Sequence, residues 1–497
     1  LDHQREFFRT APEFAKEAGV GGWVFDPAND PAKAWELRSL LAQHQIEVRV
    51  LKRDVTQEDR VFKAGEAWVV PAAQPQARLL AELFTDRTEF ESTAFYDISA
   101  WSVPMAFNLP FAKLTTGAMS GLAGDAIPLS ARPQGRVIGS RDHVVAYLVP
   151  AMGADVPRVL ARLGKANIGA QVITKPLGMA PAGSTEVMAF DAGAILIPVG
   201  RQLNLSAKIE AVVDEIVGHD AVDVVALSGG LTPMGNDLGS PSWVTVKQGR
   251  VAILIGGGLS PYDAGEIWHT LDARWNLPVV LLDVEDITRA DLSRYDAIAV
   301  VDGTYGSLSE SAIVDLKSWT QSGGTLIAFA RATKWAAEKL GVKIEFVDEL
   351  KPAAVERQPF GDSDDLERAK KIPGAIFAAE ADMTHPLSFG LADDQVPVFR
   401  EGTLVMKASK SPYGTPLVYA DAPLLAGYAP ADQVKRIGGQ AAAVVEPLGK
   451  GVVVALSDNA VFRGYWFGGM RLLSNAIFFG PAMKPVGVSE EEDASHE

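Results

Sequence analysis

Strands that are apolar from end to end, alternating with amphipathic helices, predict an α/β fold for this chain. The expected architecture is three-layer units with mostly parallel sheets covered on both faces, divided between at least two domains. Three observations carry the prediction. A strand–helix–strand pattern recurs in residues 22–84, 136–227 and 251–340. Its helices repeat apolar residues every three or four positions. The length, 497 residues, exceeds what one core supports.

In the first copy, strand GWVFD (22–26) precedes a helix at 31–43 with Ala34, Leu37 and Leu41 on one face. Strands at 46–51 and 64–71 follow, then a helix carrying Ala77, Leu80 and Leu83. The second copy starts with strand VVAYLVP (144–150) and a helix aligning Val156, Val159, Leu160 and Leu163. Strands at 170–174 and 192–200 lead to a helix with Ile209, Val212, Val213 and Ile216, then to strand DVVALSG (223–229). The third copy runs VAILIG (251–256), a helix, PVVLLDV (278–284), YDAIAVVDG (295–303), a helix at 309–321, and TLIAFA (325–330). Every β-α-β crossover is expected to be right-handed. Ser260, Pro261 and Asp263 form a helix start in capping-box order, and Ser307 with Glu310 reads as a second box.

Gly- and Pro-bearing stretches at 104–133 and 228–242 read as joints, and 361–371 as an exposed charged loop. Residues 396–480 add short strands and a last helix. The expected division is 1–240, built from two repeats; 241–482, the third repeat together with 341–482; and an acidic, disordered tail at 483–497.

A net charge of −16 argues against nucleic acid or an anionic membrane surface, both of which need clustered Lys and Arg. No run of 18 apolar residues spans a bilayer. Without cysteine there are no disulfides, thiolate metal sites or cysteine nucleophiles, and no redox compartment is singled out. The chain opens at Leu1 without an initiator Met or signal-peptide pattern, as a piece of a longer product would.

Two His-x-x-Glu pairs, His3–Glu6 and His44–Glu47, have zinc-ligand spacing, with His143 as a third candidate. Their positions, at a ragged terminus and at a helix-to-strand joint, favour ordinary surface histidines, so no metal site is assigned. Gly117 to Gly121 around Ser120 lacks the G-x-S-x-G spacing, and no strand is read before it. Gly256, Gly257 and Gly258 join a strand to a helix, where backbone amides hold anions, or where a tight turn needs glycine. No acidic residue is read as closing the following strand in the dinucleotide manner. Asp263, Glu266 and Arg331 are placed at the carboxyl ends of the strands, where α/β sheets bind ligands. With Gly256–Gly258 they form the candidate site, for a peptide end, a small anion or a sugar. Trp319, Trp335, Trp466 and Phe467 read as core or interface packing.

Residues 251–340 resemble a flavodoxin-like, class I glutamine amidotransferase unit, with Ala330 where that family keeps its nucleophilic cysteine. The resemblance implies the fold, and the alanine removes the chemistry. Longer stretches resemble the region after the catalytic domain in large bacterial zinc carboxypeptidases of the carboxypeptidase A-like family. They are FYDISAWSVP (95–104), DLGS (237–240), RVAILIGGG (250–258), GEIWH (265–269), THPL (384–387) and FRGYWFGGMRLLSNAIFFG (462–480). That resemblance implies a periplasmic or secreted metallopeptidase. Its zinc domain, lying upstream, is the partner of these residues and holds the zinc and every catalytic residue. None of that family's motif positions is present here, so no catalytic residue and no cofactor is assigned to this chain.

Overall fold

A computed structural model describes residues 2–57, 60–92, 94–95, 97–350 and 359–484. Leu1, Tyr96 of the 95–104 motif and residues 485–497 of the expected tail lie outside the described residues, while Met483, expected to open that tail, is buried at the end of a 3-10 turn. The chain is α/β, with three main sheets.

The first two sheets share one topology. In the first, strands run in spatial order Phe111–Thr115, Val20–Phe25, Trp68–Pro71, Arg49–Leu51, Ala123–Ala126. Numbered along the chain this is 4-1-3-2-5. The middle sheet repeats it with Val224–Leu227, Ala146–Val149, Ile195–Pro198, Gln171–Ile173 and Trp243–Thr245, plus a short parallel strand, Val137–Ile138, beyond the fourth. In both, the strands joined by the first helix run parallel but are not neighbours, because the third strand sits antiparallel between them. This is a split β-α-β arrangement.

Two expectations are corrected here. All pairings of the first sheet, and all but one of the middle sheet, are antiparallel. Residues 104–133 are not merely a joint, since they supply the fourth and fifth strands of the first sheet. Phe111–Thr115 alternates buried and exposed residues, as an edge strand does. The middle sheet also reaches Thr245, slightly past the expected division at 240.

The C-terminal sheet has nine strands. Val279–Asp283, Val251–Ile255, Ala297–Val300, Thr325–Phe329 and Gly451–Leu456 are parallel, in the flavodoxin-like order 2-1-3-4-5. Ala441–Leu448, Leu417–Ala426, Ala375–Ala381 and Gln395–Arg400 extend the sheet antiparallel. The central parallel strands are wholly buried, as their unbroken apolar sequences require. Ser260 caps its helix as expected, accepting from Asp263 N at 3.2 Å. The second box fails: Ser309 caps the helix Glu310–Gln321, and Ser307 donates instead to Gly257 O. Within 361–371 a short exposed helix, Ser363–Ala369, replaces the expected loop.

The regions are latched by the buried Arg471 and by contacts of the 95–104 segment. Arg471, from the buried helix Met470–Phe479, donates to Ala151 O (2.9 Å) in the middle region and to Phe389 O (3.1 Å). The 95–104 segment crosses to the C-terminal region. There Phe95 stacks on Tyr428, Asp97 pairs with Arg463 at 2.8 Å, and Ser99 donates to Gly374 O at 2.6 Å. His385, in the THPL stretch, serves structurally, its Nδ1 accepting from Leu387 N at 3.0 Å. Among the described residues no helix is long and apolar enough to cross a membrane.

Candidate functional site

In a 2-1-3-4-5 sheet the crossovers turn to opposite faces on either side of the first strand, opening a crevice at the carboxyl ends. Here that crevice is a cleft of about 1350 Å³. Ser260, Asp263 and Glu266 follow the first strand, Asp302 and Tyr305 the third, Ala330 and Arg331 the fourth, and Asp458 and Asn459 the fifth. Glu401 enters from the antiparallel half, and Phe95 and Asp97 from the N-terminal half.

Ala330 has φ 47° and ψ −119°, a strained conformation that a side chain adopts only when its surroundings impose it. They do so here. Ala330 N donates to Leu456 O at 3.0 Å, and Ala330 O accepts from Thr333 Oγ1 at 2.6 Å. The strand-to-helix turn is sharp, and it offers the cleft a methyl group. Next to it, Arg331 grips Asp302 through Nε at 2.8 Å and Nη2 at 2.7 Å, while Arg331 N donates to the same carboxylate. This pairing holds the guanidinium above its ordinary value; Lys334, Arg368, Lys371 and Arg463 also line the cleft.

The floor is acidic. Asn459 Nδ2 donates to Glu266 Oε2 at 2.7 Å and Asp263 Oδ1 at 3.3 Å, and its Oδ1 accepts from Val461 N at 3.0 Å. Desolvation pushes Glu266 up to about 7, with the neighbouring Asp263 adding to the rise. Asp263 and Glu401 are also raised, first by desolvation and then, net of hydrogen bonds, by nearby carboxylates. Asp458, accepting from Glu401 N at 2.8 Å, is raised well above the carboxylate range by burial. Crowded, desolvated carboxylates hold protons because each disfavours charge on the others.

The structure thus brings together Asp263, Glu266 and Arg331, and it separates Gly256, Gly257 and Gly258 from them. All three glycines have positive φ, and none lines the cleft. A Cβ at Gly256 would sit 2.6 Å from Asp283 Oδ2, one at Gly258 would sit 2.5 Å from Thr304 Oγ1, and one at Gly257 would collide with Ser307 Oγ. The turn is therefore built for backbone conformation and close packing. Asp283 does close the second strand, contrary to expectation, but its carboxylate accepts from Glu285 N and packs against Gly256.

The zinc-spaced pairs fall elsewhere. Glu6 bonds Arg9, Glu47 pairs with Arg49, and His44 ends its helix. Among the described residues no group of three or more His, Asp or Glu is arranged to hold a metal ion. Ser120 ends a short helix that, contrary to expectation, follows a strand. Asp302, Glu401, Asp458 and Asn459 escaped the sequence reading. Asp302, Asp458 and Asn459 follow apolar strands directly, which was the available signal. Glu401 follows a strand whose alignment at the cleft depends on pairing.

No protein-family model matches the chain, and no curated protein does. Solved structures overlap it loosely. A ThuA-like protein from Parabacteroides merdae shares 12% identity over 49% of this chain and 92% of its own, with TM-score 0.31. A cytoplasmic protein from Salmonella typhimurium shares 13% over 46% and 97%, with TM-score 0.28. A β-galactosidase from Bacillus circulans shares 12% over 48% of this chain and 31% of its own, with TM-score 0.27. Overlaps this loose carry no argument about what the cleft does.

Proposed function

We propose that this chain is a non-catalytic, ligand-binding region on an amidotransferase-like fold, with the cleft at the carboxyl ends of the parallel strands as its site. One observation carries the reading: the strained elbow that aims a side chain into the cleft carries Ala330. A methyl group has no lone pair to attack with. The floor favours ligands that donate hydrogen bonds, because Asp263, Glu266, Glu401 and Asp458 all offer acceptor oxygens. Peptide ends and sugars meet that condition. A small anion, the third class expected from the sequence, meets Coulomb repulsion from those of these groups that are ionised and attraction from Lys334, Arg368 and Lys371, which line the same cleft. In line with the resemblance, the region serves as an accessory to an upstream zinc carboxypeptidase domain in a periplasmic or secreted protein.

The test is a thermal-shift screen of short peptides, sugars and anions, run beside carboxypeptidase, esterase and glycosidase assays and zinc analysis of the purified chain. Stabilisation by a peptide or sugar, lost on Glu266→Gln, is expected, with no turnover. Stoichiometric zinc or turnover overturns the non-catalytic reading. Expression with the native upstream residues tests the accessory role, since a zinc peptidase domain there is expected.

A further inference from the structure

One strand of the nine-stranded sheet is apolar almost throughout, yet two of its side chains stand half in water. Val279–Asp283 closes one edge and, among the described residues, pairs with Val251–Ile255 alone. Val279, Val280, Leu281 and Leu282 follow one another without a polar residue, the pattern of a strand covered on both faces. Val280 is nevertheless 44% exposed and Leu281 49%, and successive side chains point to opposite faces. Both faces are therefore open. The cause is local, because the crossover that follows consists of two short 3-10 turns, Val284–Arg289 and Leu292–Arg294. The next crossover carries the full helix Glu310–Gln321. No proline or lysine interrupts 279–283, so the outward N–H and C=O groups of this edge are open to another strand.

The opposite edge, Gln395–Arg400, is guarded. Pro397 has no N–H to offer, and its carbonyl accepts from Trp466 Nε1 at 3.1 Å. The two edges thus cannot join head to tail into a filament, whereas a free edge can meet its like about a closed two-fold axis. Charge favours the antiparallel direction. Lys165 reaches the start of the strand, its Nζ donating to Asn276 Oδ1 at 2.8 Å. Asp283 and the exposed Glu285 stand at the other end, with no ion-pair partner among the described residues. Antiparallel pairing sets the lysine end of one copy beside the acidic end of the other, while parallel pairing opposes the two acidic ends.

We propose that this edge is an interface between two copies of the chain. They pair antiparallel across Val279–Asp283, so that two nine-stranded sheets continue as one and each copy covers Val280 and Leu281 of the other. The two clefts then open at opposite ends of the joined sheet, and the assembly does not depend on what they bind.

Sedimentation equilibrium of the full chain, from low to high micromolar concentration, should show twice the chain mass. Val280→Lys and Leu281→Lys, both at exposed positions, should each raise the dissociation constant about tenfold or more, with the circular dichroism spectrum unchanged. Glu285→Lys and Lys165→Glu should each weaken the dimer, and the two together should restore it. Because the chain has no cysteine, Val280→Cys and Leu281→Cys report contact directly. Mild oxidation should link two copies through at least one of these positions, whereas Leu203→Cys, 72% exposed in the middle region, should stay unlinked. A monomer at every concentration overturns the proposal and leaves the edge to a strand from another protein. A dimer that tolerates both lysines and leaves both edge cysteines unlinked also overturns it, placing the contact on another surface. A charge exchange that restores nothing overturns the antiparallel arrangement.

Discussion

In residues 20–126 and 137–245, the first strand–helix–strand step joins two parallel strands that a third strand keeps apart; in residues 251–329, the same step places its strands side by side. The difference decides where a site can form. In the split units neighbouring strands, the short Val137–Ile138 pairing apart, point in opposite directions, so loops of both kinds alternate along each edge. In the parallel half every strand ends on the same side, and the reversal between 251–255 and its neighbours opens the cleft. The third repeat carries the strained Ala330 and the perturbed Asp263 and Glu266, while Glu401 and Asp458 come from the residues that follow it.

If the buried Arg471 latches the regions together, Arg471→Met should have the largest effect. It leaves Ala151 O and Phe389 O without their charged donor, and a loss of about 3–4 kcal/mol is expected in urea denaturation. A loss confined to the C-terminal sheet, with the middle unit's transition unmoved, would break the idea that Arg471 couples them. Next comes the elbow. Ala330→Val should cost about 2–3 kcal/mol, because a β-branched residue resists this φ and ψ, whereas Ala330→Gly should be neutral or stabilising. Equal tolerance of valine and glycine would remove the strain that sets the third repeat apart.

The third test uses pH. Glu266 is raised from 4.5 to about 7 in the fold, so its stabilising contribution is present below pH 4.5 and is lost as pH rises through 7. Relative to wild type, Glu266→Gln should gain about 1–2 kcal/mol at pH 8 and little at pH 5, read from paired denaturation curves. A pH-independent difference would count against the desolvated floor. The smallest effect should come from Asp302→Asn. Arg331 is largely exposed, so losing the ion pair should cost only about 0.5–1 kcal/mol, measurable as a small shift in denaturation midpoint. A larger loss would give this pair a structural role in holding the elbow.

Much of the fold was legible because its signals are local. Apolar runs such as 297–300 and 325–329 become buried strands whatever their neighbours, and Ser260 with Pro261 starts a helix by capping chemistry alone. Capping also misled. Ser307 sits three residues before Glu310, yet the tertiary contact with Gly257 O claims its hydroxyl and leaves Ser309 as the cap. The strand Ala375–Ala381 was missed because its alanines carry little β propensity; pairing on both sides makes it a strand. Of the candidate site, Asp263, Glu266 and Arg331 were found because they follow strand ends, while the three glycines proved to serve the turn.

The order of apolar and polar residues is enough to produce helices, strands and three repeats, and the sequence alone shows that position 330 holds a methyl group. These depend on periodicity, on backbone preference and on which atoms a side chain possesses. Strand direction, the split in the first two units and the meeting of Glu266, Asn459 and Glu401 depend on which strands become neighbours. Buried strands of either direction carry the same apolar pattern, so only the assembled sheet distinguishes them.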